Sequence, residues 1–450
     1  VGNIEDKSWR YALLKQLVKI PFLITHRHFT VNGLANVPID KPVIFAPNHQ
    51  NALLDPLAII FSGHFQPVFL ARADIFKNKI VARILNFLKI LPVYRIRDGK
   101  DNLDNNTGVF DAAVRILQHN KMLCLFPEAS HIGMKSMLPH KKAIPRIVFI
   151  AAEKTDYHID ILIVPVGINY TSYYGFRRSV TINFGKPISA KQYYITFQNE
   201  GETKAANAMR NAIFNAVKQL VVHVPSKEDY PLYEQAFEMA AAGVFKTPHT
   251  RSVDFVAREQ WLTEIISDEI TRQPENKNAL VDAANRYKIL KTKLNITEQT
   301  LKQGRVSFVE MVSFVFAFVV TFPISLWGAT ANGLVFYLTR YPYRKYIKDQ
   351  QFYSSFSFVM SLVIYPLWYL AAYFAVNFFI SNRTLALFLL LVSVPSGIWA
   401  WKMAQKIRSL RRRIVYNGLI HKNNPYATEV NRLHNKLLSF FGRCINQKTE

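Results

Sequence analysis

The sequence predicts an α/β protein: a mostly parallel sheet flanked by helices, then a helical extension and a C-terminal membrane region of helices. Three observations lead there. Over residues 1–200, apolar runs rich in Val, Ile and Phe alternate with helix-like stretches. Those runs are continuous rather than alternating, as in strands buried on both faces. Beyond residue 303 the chain changes into long stretches without charge.

In chain order, residues 11–24 (YALLKQLVKIPFLI) are apolar but interrupted by Lys15 and Lys19. That segment is too short and too charged to span a membrane. An amphipathic helix lying in the interface and a helix packed on the core both fit it. Strands are expected at PVIFAP (42–47), PVFLA (67–71), ILPVY (90–94), MLCLF (122–126), LIVPVGI (162–168) and SVTINF (179–184). Helices are expected near 78–89, 105–119 and 141–153.

Residues 201–303 carry more charge and a helical pattern. VDAANRYKILKTKL (281–294) spaces its apolar residues three and four apart. Val224-Pro225-Ser226 and Thr247-Pro248 divide the segment. A helical extension packed on the α/β domain is expected.

Residues 304–413 hold three uncharged runs: Met311 to Thr339, Phe352 to Ile380 and Thr384 to Trp401. A helix crossing about 30 Å of hydrocarbon needs about 20 such residues. The second and third runs are separated by Ser381, Asn382 and Arg383, and predict a hairpin of spans at 352–380 and 384–401. The first contains Pro323, Gly328, Asn332 and Gly333, which interrupt a helix. Basic clusters flank the region at Lys302 and Arg305, at Arg340, Arg344, Lys345 and Lys348, and from Lys402 to Arg413. The positive-inside rule puts all three in the cytoplasm, so residues 306–339 cross an even number of times. A re-entrant hairpin satisfies that, whereas a single span, the other reading of 306–339, leaves one basic cluster outside. Residues 414–450 then form a basic cytoplasmic tail.

The formal net charge of +25 implies an anionic partner, either nucleic acid or the anionic face of a bilayer. The uncharged runs favour the bilayer, and no nucleic-acid-binding module is visible. Cys124 lies in an apolar run and Cys444 in a basic one, so neither a disulfide framework nor a metal-ligand spacing follows. Without a signal-peptide cleavage pattern, an integral membrane protein with its α/β part facing the cytoplasm is expected.

The chemistry concentrates at strand ends. Asn48-His49-Gln50-Asn51-Ala52-Leu53-Leu54-Asp55-Pro56 follows the strand at 42–47. Asp-Pro is a helix-start signature, with Asp55 at the N-cap and Pro56 at the first helical position. His49 then sits in a loop at the strand end. A histidine is suited to taking a proton from a hydroxyl, and a carboxylate on its other ring nitrogen fixes the tautomer. Alone, the pair is weak evidence, and a solvated loop histidine is the preferred reading. Three further strand ends add Leu91-Pro92-Val93-Tyr94-Arg95-Ile96-Arg97, Phe126-Pro127-Glu128-Ala129 and Ile163-Val164-Pro165-Val166-Gly167. In an open α/β sheet, binding residues gather where strands end. Arg95 and Arg97 also read as a surface cluster with Asp98, Lys100 and Asp101, and Glu128 as a helix-start carboxylate.

These four stretches resemble the ordered blocks of the PlsC-like glycerolipid acyltransferases: His-x4-Asp, an Arg-bearing strand end, Phe-Pro-Glu-Gly and a Val-Pro strand. The likeness covers roughly residues 25–190. Val31-Asn32-Gly33-Leu34, His140-Lys141-Lys142-Ala143 and Phe184-Gly185-Lys186-Pro187-Ile188 add to it. Two positions depart. The first block is one residue longer, His-x5-Asp, which resembles a subgroup including fungal glycerol-3-phosphate and dihydroxyacetone-phosphate acyltransferases. Ala129 replaces the usual Gly; Ala disfavours positive φ, so a slightly different backbone is expected there.

The resemblance implies His49 as general base and Asp55 as its orienting partner. It implies Arg95, with Arg97 as a second candidate, on the acceptor phosphate, where a guanidinium donates two parallel hydrogen bonds. Pro127 and Glu128 would bind the glycerol portion and Pro165 would shape a pocket. Lys142, with Lys141, would assist phosphate or the donor's anionic carrier, unless the two form a solvated basic turn. The implied reaction moves a fatty acyl group from acyl-CoA or acyl carrier protein to glycerol 3-phosphate or 1-acylglycerol 3-phosphate, without metal or organic cofactor. Anionic membrane lipids are expected partners and nucleic acid is not. Another lysophospholipid or an aminolipid as acceptor, and a non-catalytic lipid-binding scaffold, are the competing readings.

Overall fold

The computed structural model describes residues 4–94, 105–130, 132–248, 255–341, 345–347, 349–380 and 382–449. It divides into two compact units, Val1–His223 with Asp349–Phe356, and Val224–Lys348 with Ser357–Glu450.

The first unit is built on one sheet. Its strands are β1 (His26–Asn32), β2 (Val43–Pro47), β3 (Val68–Arg72), β4 (Ile90–Val93), β5 (Met122–Cys124), β6 (Leu162–Tyr170), β7 (Arg178–Phe184) and β8 (Ile188–Ser189). The order is β1-β7-β6-β2-β5-β3-β4, with β8 beside β6. Every pairing is parallel except β6 with β7 and β6 with β8. The six expected strands are β2 to β7. Strand β1 was not expected: His26-Arg27-His28 open it with polar side chains, and most of its positions stay partly exposed at the sheet edge.

Helices of this unit are α1 (Trp9–Thr25), α2 (Leu54–Ser62), α3 (Lys79–Phe87), α4 (Asn105–Gln118), α5 (Ala143–Glu153), α6 (Tyr194–Glu200) and α7 (Glu202–Lys218). All five residues of β2 are buried. Ile44, Leu123 and Ile163 of the sheet share one apolar cluster with Ile116 and Leu117 of α4, Ile147 and Val148 of α5, and Met209, Ile213 and Val217 of α7. Each such side chain contributes about 1.5–3 kcal/mol by leaving water. Because α7 belongs to this cluster, the unit runs to His223 rather than to the expected boundary at 200.

Helix α1 meets the expectation of a helix packed on the core, and leaves its other face exposed. Tyr11, Lys15 and Phe22 face inward, while Trp9, Leu13, Leu17 and Ile20 remain exposed. Lys15 Nζ donates to the carbonyls of Gly63 (2.6 Å) and Phe65 (3.2 Å), and burial lowers its pKa to about 8. The motif around Gly33 has a steric cause. Gly33 holds φ at 69°, and a Cβ there would lie 2.2 Å from the Phe184 carbonyl oxygen.

The second unit holds α8 (Tyr230–Ala242), α9 (Phe255–Arg272), α10 (Pro274–Lys293), α11 (Glu298–Gln303), α12 (Phe308–Val320), α13 (Phe322–Leu338), most of α14 (Tyr353–Ile380), α15 (Arg383–His421) and α16 (Pro425–Thr449). The extension expected at 201–303 does not pack as one piece on the sheet: α8 to α11 group with α16 in this unit. The stretch expected to be a basic tail from 414 is held largely in the end of α15, to His421, and in α16, Pro425–Thr449. Its many basic residues conceal an apolar stripe, and Ala427, Val430, Leu433, Leu437, Phe440 and Phe441 are all buried.

Helices α14 and α15 are long and apolar enough to cross a membrane. Helices α12 and α13 form a bent pair, turning by 67° at Thr321. A Cβ on Gly328 of α13 would lie 2.1 Å from the Ser396 carbonyl oxygen of α15. Asn332 Nδ2 donates to Ser393 O (2.8 Å), and Tyr369 of α14 donates to Asn332 Oδ1 (2.7 Å). At the start of α12, Glu310 accepts from Lys406 (2.9 Å) and Arg413 (2.7 Å) of α15. Arg413 also donates to the carbonyls of Gly304 (3.0 Å) and Arg305 (2.7 Å).

Candidate active site

The site is built where β2 ends. Asn48 is locked to the neighbouring strand β6 by a reciprocal pair: its Nδ2 donates to Ile168 O (3.0 Å) and its Oδ1 accepts from Ile168 N–H (2.6 Å). This fixes the next residue, His49. The loop from His49 to Leu53 folds back on Asp55, with Ala52 at φ 41° absorbing the turn. Helix α2 begins at Leu54, so Asp55 is its second residue and not its N-cap. The reason lies in the donors. Asp55 Oδ2 accepts the backbone N–H of Gln50 (2.7 Å) and Asn51 (2.8 Å), and these hold the carboxylate at the mouth of the helix. A carboxylate in the first turn is also favoured by the helix dipole.

The same oxygen accepts from His49 Nδ1 at 2.8 Å. With Nδ1 protonated, the lone pair of the ring sits on Nε2. The imidazole is 19% exposed while Asp55 is fully buried. Phe126 packs on the imidazole with ring centroids 4.2 Å apart. The arrangement therefore presents an oriented, partly accessible imidazole on a buried carboxylate.

Glu128 comes to the same place, but inside. It is buried, with Oε1 accepting His49 N–H (3.3 Å) and Oε2 accepting Leu138 N–H (3.1 Å). Burial pushes its pKa up to about 8, against the two backbone donors. Its carboxylate ties the His49 loop to the segment after β5. Pro127 is buried beside it, and its carbonyl accepts Lys141 N–H (2.7 Å). Ala129 takes φ 55°, so the methyl group does not displace the left-handed backbone that a Gly would adopt.

Pro165 is buried within β6, where its ring packs against Gly185 and its carbonyl accepts Gly185 N–H (2.9 Å). Lys141 and Lys142 are exposed at the start of α5, and no described contact carries the Lys142 side chain to His49. Arg95, Arg97 and His131 lie outside the described residues. His140 is buried against Phe214, and burial lowers its pKa to about 4.

Several supporting residues carry no motif in the sequence. Tyr170, at the end of β6, is fully buried; burial first, and then the neighbouring Asp55, push its phenol well above the usual range. Arg178 lies over its ring, and its Nε donates to His26 Nε2 (3.1 Å). The first turn of α14 also reaches the site: Ser355 Oγ accepts Leu53 N–H (3.0 Å), and Ser354 Oγ accepts from Arg178 Nη1 (3.0 Å). Strand-end polar side chains such as Asn48 are the one signal that finds any of these from sequence. Among the described residues, no three His, Cys, Asp or Glu side chains group as a metal site.

A family model described as Acyltransferase matches residues 28–169. An uncharacterized acyltransferase of Schizosaccharomyces pombe is 26% identical over 127 residues, which is 28% of this chain and 18% of that protein. The chain thus spans about a fifth of the length of the curated relative it matches. Among solved structures, the 1-acyl-sn-glycerophosphate acyltransferase PlsC from Thermotoga maritima is 18% identical, with a TM-score of 0.32, covering 46% of this chain and 78% of that one. All four blocks, with His49, Asp55 and Glu128 brought together, fall inside the matched residues 28–169, so that stretch of the chain is a domain of the Acyltransferase family.

Proposed function

We propose that this chain is a membrane-bound enzyme transferring a fatty acyl group from acyl-CoA or acyl carrier protein to a hydroxyl of glycerol 3-phosphate or its 1-acyl form. The observation that carries the reading is the 2.8 Å bond from His49 Nδ1 to a buried Asp55. His49 Nε2 takes the proton of the acceptor hydroxyl as its oxygen attacks the thioester carbonyl. The tetrahedral intermediate then collapses, the carbon–sulfur bond breaks, and the imidazolium returns the proton to the leaving thiolate. General-base help of this kind contributes roughly 10²–10⁴ in rate.

Arg95 and Arg97 bind the acceptor phosphate in this reading, and the catalytic unit faces the cytoplasm. Glu128 acts through the His49 loop, consistent with its burial and its two backbone partners. The apolar helices α14 and α15 support membrane attachment. The longer His-x5-Asp block leans toward glycerol 3-phosphate as acceptor.

The test is acyl transfer by membranes containing the protein or its His49→Ala variant, with labelled acyl-CoA or acyl carrier protein. Glycerol 3-phosphate and 1-acylglycerol 3-phosphate are supplied separately. Labelling of one acceptor, lost by about 10² or more in the variant, is expected. No labelling of either acceptor with either donor overturns the acceptor class. Equal labelling by both forms overturns His49 as the base.

A further inference from the structure

Helix α3 leaves its largest side chains in water. Not one of its nine residues is buried. Ile80 is 68% exposed, Ile84 52%, Phe87 44% and Val81 40%. At about 100° per residue, Ile80, Ile84 and Phe87 fall within roughly 60° of one another, with Val81 extending the same arc. Ala82 and Leu85, half-buried, point the other way. The helix is nevertheless well formed: Asn78 caps it, its side chain accepting the N–H groups of Ile80 (2.9 Å) and Val81 (3.3 Å).

The charge around this face has one sign. From Ile75 to Tyr94 the chain has no Asp or Glu, but it has Lys77, Lys79, Arg83 and Lys89. Lys89 is used internally, donating to the carbonyls of Ile4 (2.7 Å) and Asp6 (2.5 Å). Lys77, Lys79 and Arg83 are exposed. On the helix, Lys79 and Arg83 border the apolar arc on the Phe87 side, where their long stems allow the charges to reach past it. An exposed apolar arc edged by cations is the chemistry of a helix lying in a lipid interface, with the cations on anionic headgroups. The chain also supplies its own bilayer anchors in α14 and α15.

We propose that α3 is a lipid-contacting helix: Ile80, Val81, Ile84 and Phe87 enter the interface of an anionic bilayer, and Lys77, Lys79 and Arg83 hold its headgroups. The proposal deepens the reading of the chain as a membrane-bound acyltransferase by giving its catalytic unit a lipid surface of its own.

The experiment uses the full chain in vesicles and reads contact without turnover, so its failure is distinct from a failure of acyl transfer. An environment-sensitive nitrobenzoxadiazole label is attached at Ile84→Cys, with Glu153→Cys as an exposed reference; native Cys124 and Cys444 are buried. In vesicles containing phosphatidylglycerol and a nitroxide lipid, the label at 84 is expected to emit at shorter wavelength. It should be quenched several-fold more than the label at 153, and less so in pure phosphatidylcholine. Equal quenching at both positions overturns lipid contact. A blue-shifted label that the nitroxide lipid does not quench also overturns it, and points to a second copy or a protein partner on this face. Equal quenching at 84 in both lipids overturns the anionic preference.

Discussion

His49 Nδ1 and the backbone N–H groups of Gln50 and Asn51 all donate to one oxygen of Asp55, at 2.8, 2.7 and 2.8 Å. The carboxylate therefore sets the tautomer of the ring and the fold of the loop that carries it. The two roles separate in Asp55→Asn. An amide oxygen still accepts from the loop, but the negative charge facing the imidazolium is gone. The expected result is a fall in kcat of roughly 10²–10⁴ with the fold retained. Near-normal kcat, measured by labelled acyl transfer, would remove Asp55 from the reaction.

Stability should respond to pH in two opposite directions. Burial lowers the pKa of His26 to about 3 and of His140 and His223 to about 4. The unfolded chain takes up these protons below about 6.5 and the folded chain does not, so stability is lost as pH falls from about 6.5 toward 4. Glu128 has a raised pKa of about 8. Its folded form keeps a proton that the unfolded form releases above about 4.5, so its contribution declines as pH rises toward 8. Thermal melts in detergent across pH 5–8.5 should peak near about pH 6.5. Glu128→Gln should flatten the alkaline limb; an unchanged limb would assign that decline to another group.

Ala129 sits at φ 55°. A non-glycine residue in left-handed backbone costs about 1–2 kcal/mol, partly offset by the greater unfolded freedom of Gly. Ala129→Gly is expected to stabilise the first unit by up to about 1 kcal/mol, raising Tm by about 2–4 °C. A fall in Tm would show that the methyl group makes contacts worth more than the backbone strain.

In the second unit, Gly328 and Gly333 make a matched pair. A Cβ on Gly328 meets the Ser396 backbone, whereas one on Gly333 meets nothing within 4 Å. Gly328→Leu should push α13 and α15 apart and lower the melting temperature of the detergent-solubilised protein. Gly333→Leu should not. Equal effects would mean that helix propensity, and not close approach, is being measured.

How far the sequence revealed this molecule depended on whether a residue's role is written in its type or in its backbone. Strands β2 to β7 were legible because buried parallel strands are continuous apolar runs. Strand β1 was not, because His26-Arg27-His28 resemble a loop and only pairing with β7 makes them a strand. Helix α16 was hidden by its charge, since a stripe of Val, Leu and Phe is diluted by basic residues on its outer face. His49 and Asp55 stood out through their spacing. The left-handed Ala52 and the donors of Gln50 and Asn51, which hold Asp55 in place, are backbone features that residue types do not announce.

The contacts of Glu310 with Lys406 and Arg413 bear on how the chain is threaded. They close a loop of chain, and a closed loop pierces any sheet-like boundary an even number of times. Between its ends lie two helices long enough to cross and one bent pair. If each long helix crosses once, the count is already even, and α12 with α13 must leave the hydrocarbon on the face by which they entered. The parity of the whole membrane region is thus fastened by one carboxylate and two cations at its rim, without reference to which compartment lies outside.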